Sequence, residues 1–239
     1  MSDKHVHKHK HHHYQHLEFT ALGDSTAFGV GATNDYGYVN YFRDFLATIK
    51  ECVNLVNRAV PGFTSSDLLH QLQNDATTRD AVRNADLITI SIGGANLLNC
   101  IDASNPQDCL INGVAAFAND WPKILKKIRN SIDSDAQILV MTVFNPFTGD
   151  DPNYNLAEFF IQQINNVIKN RKYRSIYEYN VVDVHADFQG KFSDGRWKVC
   201  TWTHFCELPP DPHPTDCGHL EIARLHELLY CKDKTKQKW

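Results

Sequence analysis

The chain has 239 residues, 42% of them hydrophobic, and a formal net charge of −4. That length suits one large domain with a full core and is short for two. The mild charge excludes a strongly basic nucleic-acid surface, and no apolar stretch approaches the ~18 residues that span a bilayer. Neither a nucleic-acid partner nor stable membrane insertion is expected.

The first 16 residues, MSDKHVHKHKHHHYQH, alternate histidine and lysine and carry almost no apolar surface. They predict a disordered tail, either a solvated or purification tail or a loose Zn²⁺ or Ni²⁺ binder. They contain no apolar h-region of a signal peptide. A domain over 17–232 follows, then a polar tail over 233–239. Seven cysteines are many for a cytosolic enzyme of this size. Cys100 and Cys109 bracket one loop and Cys200 and Cys206 another, so both pairs can close as disulfides, and the odd count leaves a thiol over. The missing leader points to a cytoplasmic or spore-associated location, whereas the cysteines allow an extracellular one.

After the tail the pattern alternates. Apolar, β-branched runs of strand length occur at 17–22, 53–60, 86–92, 137–144 and 176–184. They are nearly continuous in hydrophobicity, as parallel strands buried on both faces require. Helical spacing occupies the gaps. Residues 37–50 place Val39, Phe42, Phe45, Leu46 and Ile49 on one face; 113–131 do so with Phe117, Trp121, Ile124, Leu125 and Ile128. Residues 154–171 and 217–231 supply two more helices. Alternating β and α segments predict an α/β fold: a three-layer α/β/α sandwich on a mainly parallel five-stranded sheet of flavodoxin-like type. Right-handed crossovers bring the strand C-terminal ends to one edge, where such folds keep their sites.

Four chemically distinctive segments fall on that edge. Gly23-Asp24-Ser25 follows the first strand. Asn57 to Ser65, containing Gly62, follows the second. Gly93-Gly94-Ala95-Asn96 follows the third, and Asp211-Pro212-His213-Pro214 precedes the last helix. A serine becomes a nucleophile only when an adjacent base takes its proton, so Ser25 and His213 are expected to meet in space. The G-x-S-x-G elbow of α/β-hydrolases is absent.

These blocks resemble those of the SGNH (GDSL) hydrolase family over residues 17–231. Gly23-Asp24-Ser25 matches the first block, with Thr26 where the name-giving leucine usually stands. Gly62 matches the second, Asn96 the third, and Asp211 to His219, reading D-P-H-P-x-x-x-G-H, the fifth. The stretch Gln73 to Leu98 is most similar to the Bacillus-type lipase branch that includes a spore-germination lipase. The resemblance implies a catalytic Ser25 attacking an ester carbonyl, His213 as base and then acid, and Asp211 orienting His213. It implies an oxyanion hole of the Ser25 and Gly62 N–H groups and the Asn96 amide, with no metal or organic cofactor. Gly62 would also keep side-chain atoms away from the approaching carbonyl.

Two positions depart from the family pattern. The aspartate usually lies three residues before the histidine, whereas Asp211 lies two before; otherwise a backbone carbonyl orients His213 in a Ser–His dyad. The usual G-x-N-D reads Gly94-Ala95-Asn96-Leu97, and a gapless match on the two glycines puts Ala95 in the asparagine slot. Asp24 is expected to be a structural hydrogen-bonder, and His219, His70, His185 and His226 to cap or pack. Cys200, His204, Cys206, Cys217 and His219 lack the spacing of a zinc site. The aromatic insert from Lys191 to Pro210 either lines an acyl pocket or packs as a pinned loop on the sheet edge.

The implied activity is a serine esterase or lipase acting on lipid or short-chain acyl esters. The rivals are a carbohydrate O-deacetylase on the same scaffold and a non-catalytic metal-binding coat protein with a decayed site.

Overall fold

The computed structural model describes residues 16–101 and 103–236. Five strands form one all-parallel sheet in the order β2-β1-β3-β4-β5. They are β1 (His16–Gly23), β2 (Cys52–Asn57), β3 (Leu87–Ser91), β4 (Gln137–Met141) and β5 (Tyr179–Val182). The chain runs outward from β1 to β2, then crosses back to β3 on the other side of β1. That reversal makes the C-terminal ends of β1 and β3 the topological switch point of the sheet, where such folds keep their sites.

Alternate strand residues feed two cores. Leu22, Ile88, Ile90, Ile138 and Val140 face one layer, with Phe117, Trp121 and Ile124 of α6 (Pro106–Lys126) and Ile164 of α7 (Tyr154–Ile168). The short helices α3 (Ser65–Asn74) and α4 (Ala76–Asn84) complete that layer through Leu68, Leu72 and Val82. Phe19, Ala21, Leu87, Leu139 and Met141 face the other, with Phe42 and Leu46 of α2 (Tyr38–Ile49) and Ile222 and Ala223 of α11 (Asp216–Lys236). Burial on both faces explains the unbroken hydrophobicity of these strands, each fully buried side chain contributing about 1.5–3 kcal/mol.

Several boundaries differ from the sequence reading. The run from 176 to 184 is only half strand. Its first residues close α8 (Arg171–Tyr177), which ends where Glu178 takes a left-handed φ of 49°. β4 stops at Met141 because the Asn165 side chain engages Val143, accepting from its N–H and donating to its carbonyl, both at 2.8 Å. His16 opens β1 and α11 continues to Lys236, while the His-rich residues 1–15 lie outside the described part. Helix α6 begins earlier than its apolar spacing indicates, at Pro106, because Asn105 caps the Asp108 N–H. Both expected disulfides are present, Cys100–Cys109 and Cys200–Cys206, and Cys52, Cys217 and Cys231 are exposed thiols.

Candidate active site

The nucleophile block is built at the end of β1. Gly23 has φ +133°, and a Cβ there would lie 1.8 Å from the Ser91 carbonyl oxygen, so only glycine lets the chain leave the sheet here. The next peptide is tied across to β3, the Asp24 N–H donating to the Ser91 carbonyl at 2.9 Å. Asp24 then caps the single-turn helix α1 (Ser25–Phe28), its Oδ1 accepting from the Thr26 N–H at 3.1 Å and from the Ser91 hydroxyl at 3.0 Å. Burial pushes the Asp24 carboxyl up to about 7, against the pull of these hydrogen bonds. Asp24 is therefore the structural hydrogen-bonder expected of it, and the cap leaves Ser25 at the first helical position, where an N–H has no intrahelical acceptor.

The fifth block meets it from the far end of the chain. Ser25 Oγ lies 2.9 Å from His213 Nε2. His213 Nδ1 lies 2.5 Å from Asp211 Oδ1, which also accepts from the His213 backbone N–H at 2.9 Å. This is an Asx turn, in which a carboxylate bonds the backbone two residues on. It explains how an aspartate two residues before the histidine still reaches the ring. Burial pushes the Asp211 carboxyl up, but the His213 N–H and ring together hold it below the usual carboxylate range.

The second block forms a tight turn beside Ser25. The extension of β2 stays paired to β1, with Val60 N–H donating to the Gly23 carbonyl at 3.0 Å. The Phe63 N–H then closes a turn on the Val60 carbonyl, with Pro61 and Gly62 at its centre and Gly62 at φ +83°. Proline followed by a positive-φ glycine is the type II pattern, in which the glycine N–H takes no part in the closing bond. A Cβ on Gly62 would meet no atom within 4 Å. The backbone conformation, rather than crowding by the protein, is what demands glycine there.

The third block departs from expectation. Asn96, in the short helix α5 (Ala95–Leu98), is buried and turned into the fold. Its Nδ2 donates to Ser65 Oγ at 3.0 Å and to the Gly113 carbonyl at 3.2 Å, while its Oδ1 accepts from the Ser65 N–H at 2.9 Å. Both amide hydrogens are thus used internally, and Asn96 braces α3 and α6 rather than presenting a free donor.

The aromatic insert packs on the sheet edge. Trp202, in α10 (Lys198–Trp202), lies 4.8 Å from Phe188 of α9 (Val184–Phe188) and 5.3 Å from Phe192, between ring centroids. The Trp197 indole N–H reaches Asp150 at 3.3 Å, and Phe205 meets Phe147 at 4.8 Å. Cys200 and Cys206 are bonded to each other, and no group of three or more metal-ligating side chains occurs among the described residues.

Two histidines have roles that spacing does not reveal. His219 Nε2 donates to the Val30 carbonyl at 3.0 Å, and its Nδ1 accepts from the Tyr38 N–H at 3.1 Å. His204 Nε2 donates to the Gly31 carbonyl at 2.9 Å. Both acceptors are backbone atoms just past Ser25.

The GDSL-like lipase/acylhydrolase family profile matches residues 21–220. A spore germination lipase, LipC of Bacillus licheniformis, is 30% identical over 183 residues, 73% of this chain and 83% of LipC. Among solved structures, the lipase Lip_vut3 from a goat rumen metagenome superposes with a TM-score of 0.72 at 24% identity, covering 89% of this chain and 96% of that one. Axe2, an acetylxylan esterase from Geobacillus stearothermophilus, superposes with a TM-score of 0.60 at 18% identity, covering 88% and 92%.

Proposed function

Because this chain belongs to the GDSL-like lipase/acylhydrolase family, we propose that it is a serine esterase that hydrolyses lipid or short-chain acyl esters through an acyl-enzyme. The observation that carries this reading is the continuous hydrogen-bonded series Ser25–His213–Asp211. Ser25 Oγ adds to the ester carbonyl as His213 Nε2 takes its proton. The tetrahedral oxyanion is received by the Ser25 and Gly62 N–H groups. Collapse breaks the C–O bond, and His213 returns the proton to the leaving alcohol. A water molecule, deprotonated by the same His213, then releases the acid and restores Ser25. Asp211 holds the imidazole in one tautomer and balances the imidazolium charge.

An apolar acyl group is favoured by three exposed apolar side chains on the segments that carry the site residues. Phe28 closes the helix that begins with Ser25, Leu98 ends α5, and Leu208 precedes Asp211 by three residues; all three are exposed. The lipase name of the LipC relative is consistent with this. A carbohydrate O-deacetylase remains the second reading, favoured by the openness of the acid–base pair: the Asp211 and His213 side chains are 46% and 26% exposed. The fold likeness to Axe2 accommodates it.

Turnover of p-nitrophenyl acetate, butyrate and palmitate by the wild type and Ser25→Ala tests the proposal. Serine-dependent hydrolysis with longer chains preferred supports the lipid reading. Preference for an acetylated xylose assayed beside them over all three p-nitrophenyl esters supports the second. A folded wild type that cleaves none of them and resists fluorophosphonate labelling at Ser25 overturns both.

A further inference from the structure

Ser25 and His213 are 188 residues apart, yet their reacting atoms lie at 2.9 Å. Something must hold the nucleophile turn against the acid–base loop. Five bonds do so, all between residues 30–38 and 204–219. His219 engages Val30 and Tyr38, Asp216 accepts from the Thr33 N–H and hydroxyl at 2.7 Å each, and His204 engages Gly31.

His204 stands apart within this seam because it bonds to both catalytic loops at once. Its ring Nε2 holds the Gly31 carbonyl. Its backbone N–H donates to the His213 carbonyl at 3.0 Å, and its own carbonyl accepts from the Asp211 N–H at 3.3 Å. On the nucleophile side, the Gly29 and Val30 N–H groups both donate to the Ser25 carbonyl at 3.0 Å, so Gly31 is one residue from a direct tie to the nucleophile. Gly31 also approaches His213 closely: a Cβ on it would lie 2.9 Å from the His213 Cβ. Glu207 buttresses the ring from the other side, 3.0 Å from Nδ1, and the Cys200–Cys206 bond closes the segment that carries His204.

Resting on the esterase reading above, we infer that His204 is a positioning residue for the acyl-transfer step, fixing the Ser25–His213 distance by joining Gly31 to the backbone of Asp211 and His213. It touches no reacting atom. Its effect is on geometry, where a misplacement of about 1 Å costs on the order of 10²-fold in rate.

The test compares wild type, Ser25→Ala, His204→Ala and His204→Gln on p-nitrophenyl acetate, with folding checked by near-UV circular dichroism. The glutamine amide can still donate to the Gly31 carbonyl. The expected result is a loss of roughly 10–100-fold in kcat for His204→Ala with KM changed less than about threefold, and recovery to within about threefold of wild type in His204→Gln. His204→Asn, whose amide is too short to reach Gly31, replaces the alanine variant if that one does not fold. Unchanged kcat in His204→Ala, or a glutamine variant as slow as the alanine one, overturns the inference while leaving the esterase reading intact. Absence of Ser25-dependent turnover in the wild type overturns the esterase reading itself and the inference with it.

Discussion

Asp211 Oδ1 accepts from both ends of one residue, the backbone N–H of His213 at 2.9 Å and its ring Nδ1 at 2.5 Å. The first bond makes the turn, and in the proposed esterase the second orients the base. Asp211→Asn keeps an oxygen for the turn but loses the charge that balances the imidazolium. Its kcat should fall by roughly 10²–10⁴-fold with a melting temperature close to wild type. Asp211→Ala should lose the turn as well. Because Asp211 is held below the ordinary carboxylate range, it stays ionised above about pH 5, and kcat/KM should show no inflection from it there. Steady-state kinetics over that range, with thermal melts, check both statements; an asparagine variant as active as wild type would leave His213 oriented by another group.

Gly62 and Asn96 should separate into a catalytic and a structural position. Gly62→Ala must adopt φ near +83°, which an L side chain resists, and the relaxed turn would swing the N–H away from the oxyanion. A loss of about 10²-fold in kcat is expected, near the worth of one such donor. Asn96→Ala instead strips buried partners from the Ser65 N–H and the Gly113 carbonyl. That should cost about 2–3 kcal/mol of stability, with kcat per folded molecule within about tenfold of wild type. Chemical denaturation alongside kinetics decides; a 10²–10³-fold loss of kcat at unchanged stability would return Asn96 to the oxyanion hole.

The disulfide ring at Cys200–Cys206 supports the acid–base loop from behind. The Trp202 carbonyl accepts from the Thr215 N–H at 3.0 Å and the Thr201 carbonyl from the Thr215 hydroxyl at 2.9 Å, just past His213. Replacing both cysteines with serine should lower stability by about 2 kcal/mol, the entropy of so short a ring. The rate should fall with it; chemical denaturation and steady-state kinetics of the double-serine variant beside the wild type measure both, and unchanged values would mean that the ring does not support the loop.

What was legible in the sequence was whatever side-chain chemistry carries. The two-faced strands had to be apolar throughout, so the sheet was visible as runs, and Ser25, Gly62, Asp211 and His213 stood out at their ends. The half of the run 176–184 that is helix was hidden because Glu178 reverses the backbone without an unusual residue type. The direction of Asn96 was hidden because its partners, Ser65 and the Gly113 carbonyl, come from other elements. His204 and His219 were hidden for a deeper reason: they bind backbone carbonyls 173 and 189 residues away, and a carbonyl has no residue identity.

Stability should depend on pH through buried groups of opposite sign. His226 stacks on Tyr38 with ring centroids 4.9 Å apart, and its Nδ1 donates to the Ile222 carbonyl at 2.8 Å. Burial lowers its pKa to about 4, below the ordinary value of 6.5. The unfolded chain therefore binds the extra proton first, so this contribution is complete above pH 6.5 and is lost as pH falls toward 4. Asp24 behaves in the reverse sense. Burial raises it from 3.8 to about 7, so its contribution is complete below pH 3.8 and is lost as pH rises through 7. His226→Phe should thus gain on wild type as the solution is acidified from about pH 6.5 to 4, and Asp24→Asn should gain on wild type as it is made basic from about pH 4 to 7. Each tilt has a ceiling of ~3–4 kcal/mol across its window. Urea denaturation at half-unit pH steps measures the two differences directly. Tilts of the same sign, or none in His226→Phe, would mean that the folded protein does not keep these groups neutral where their burial requires it.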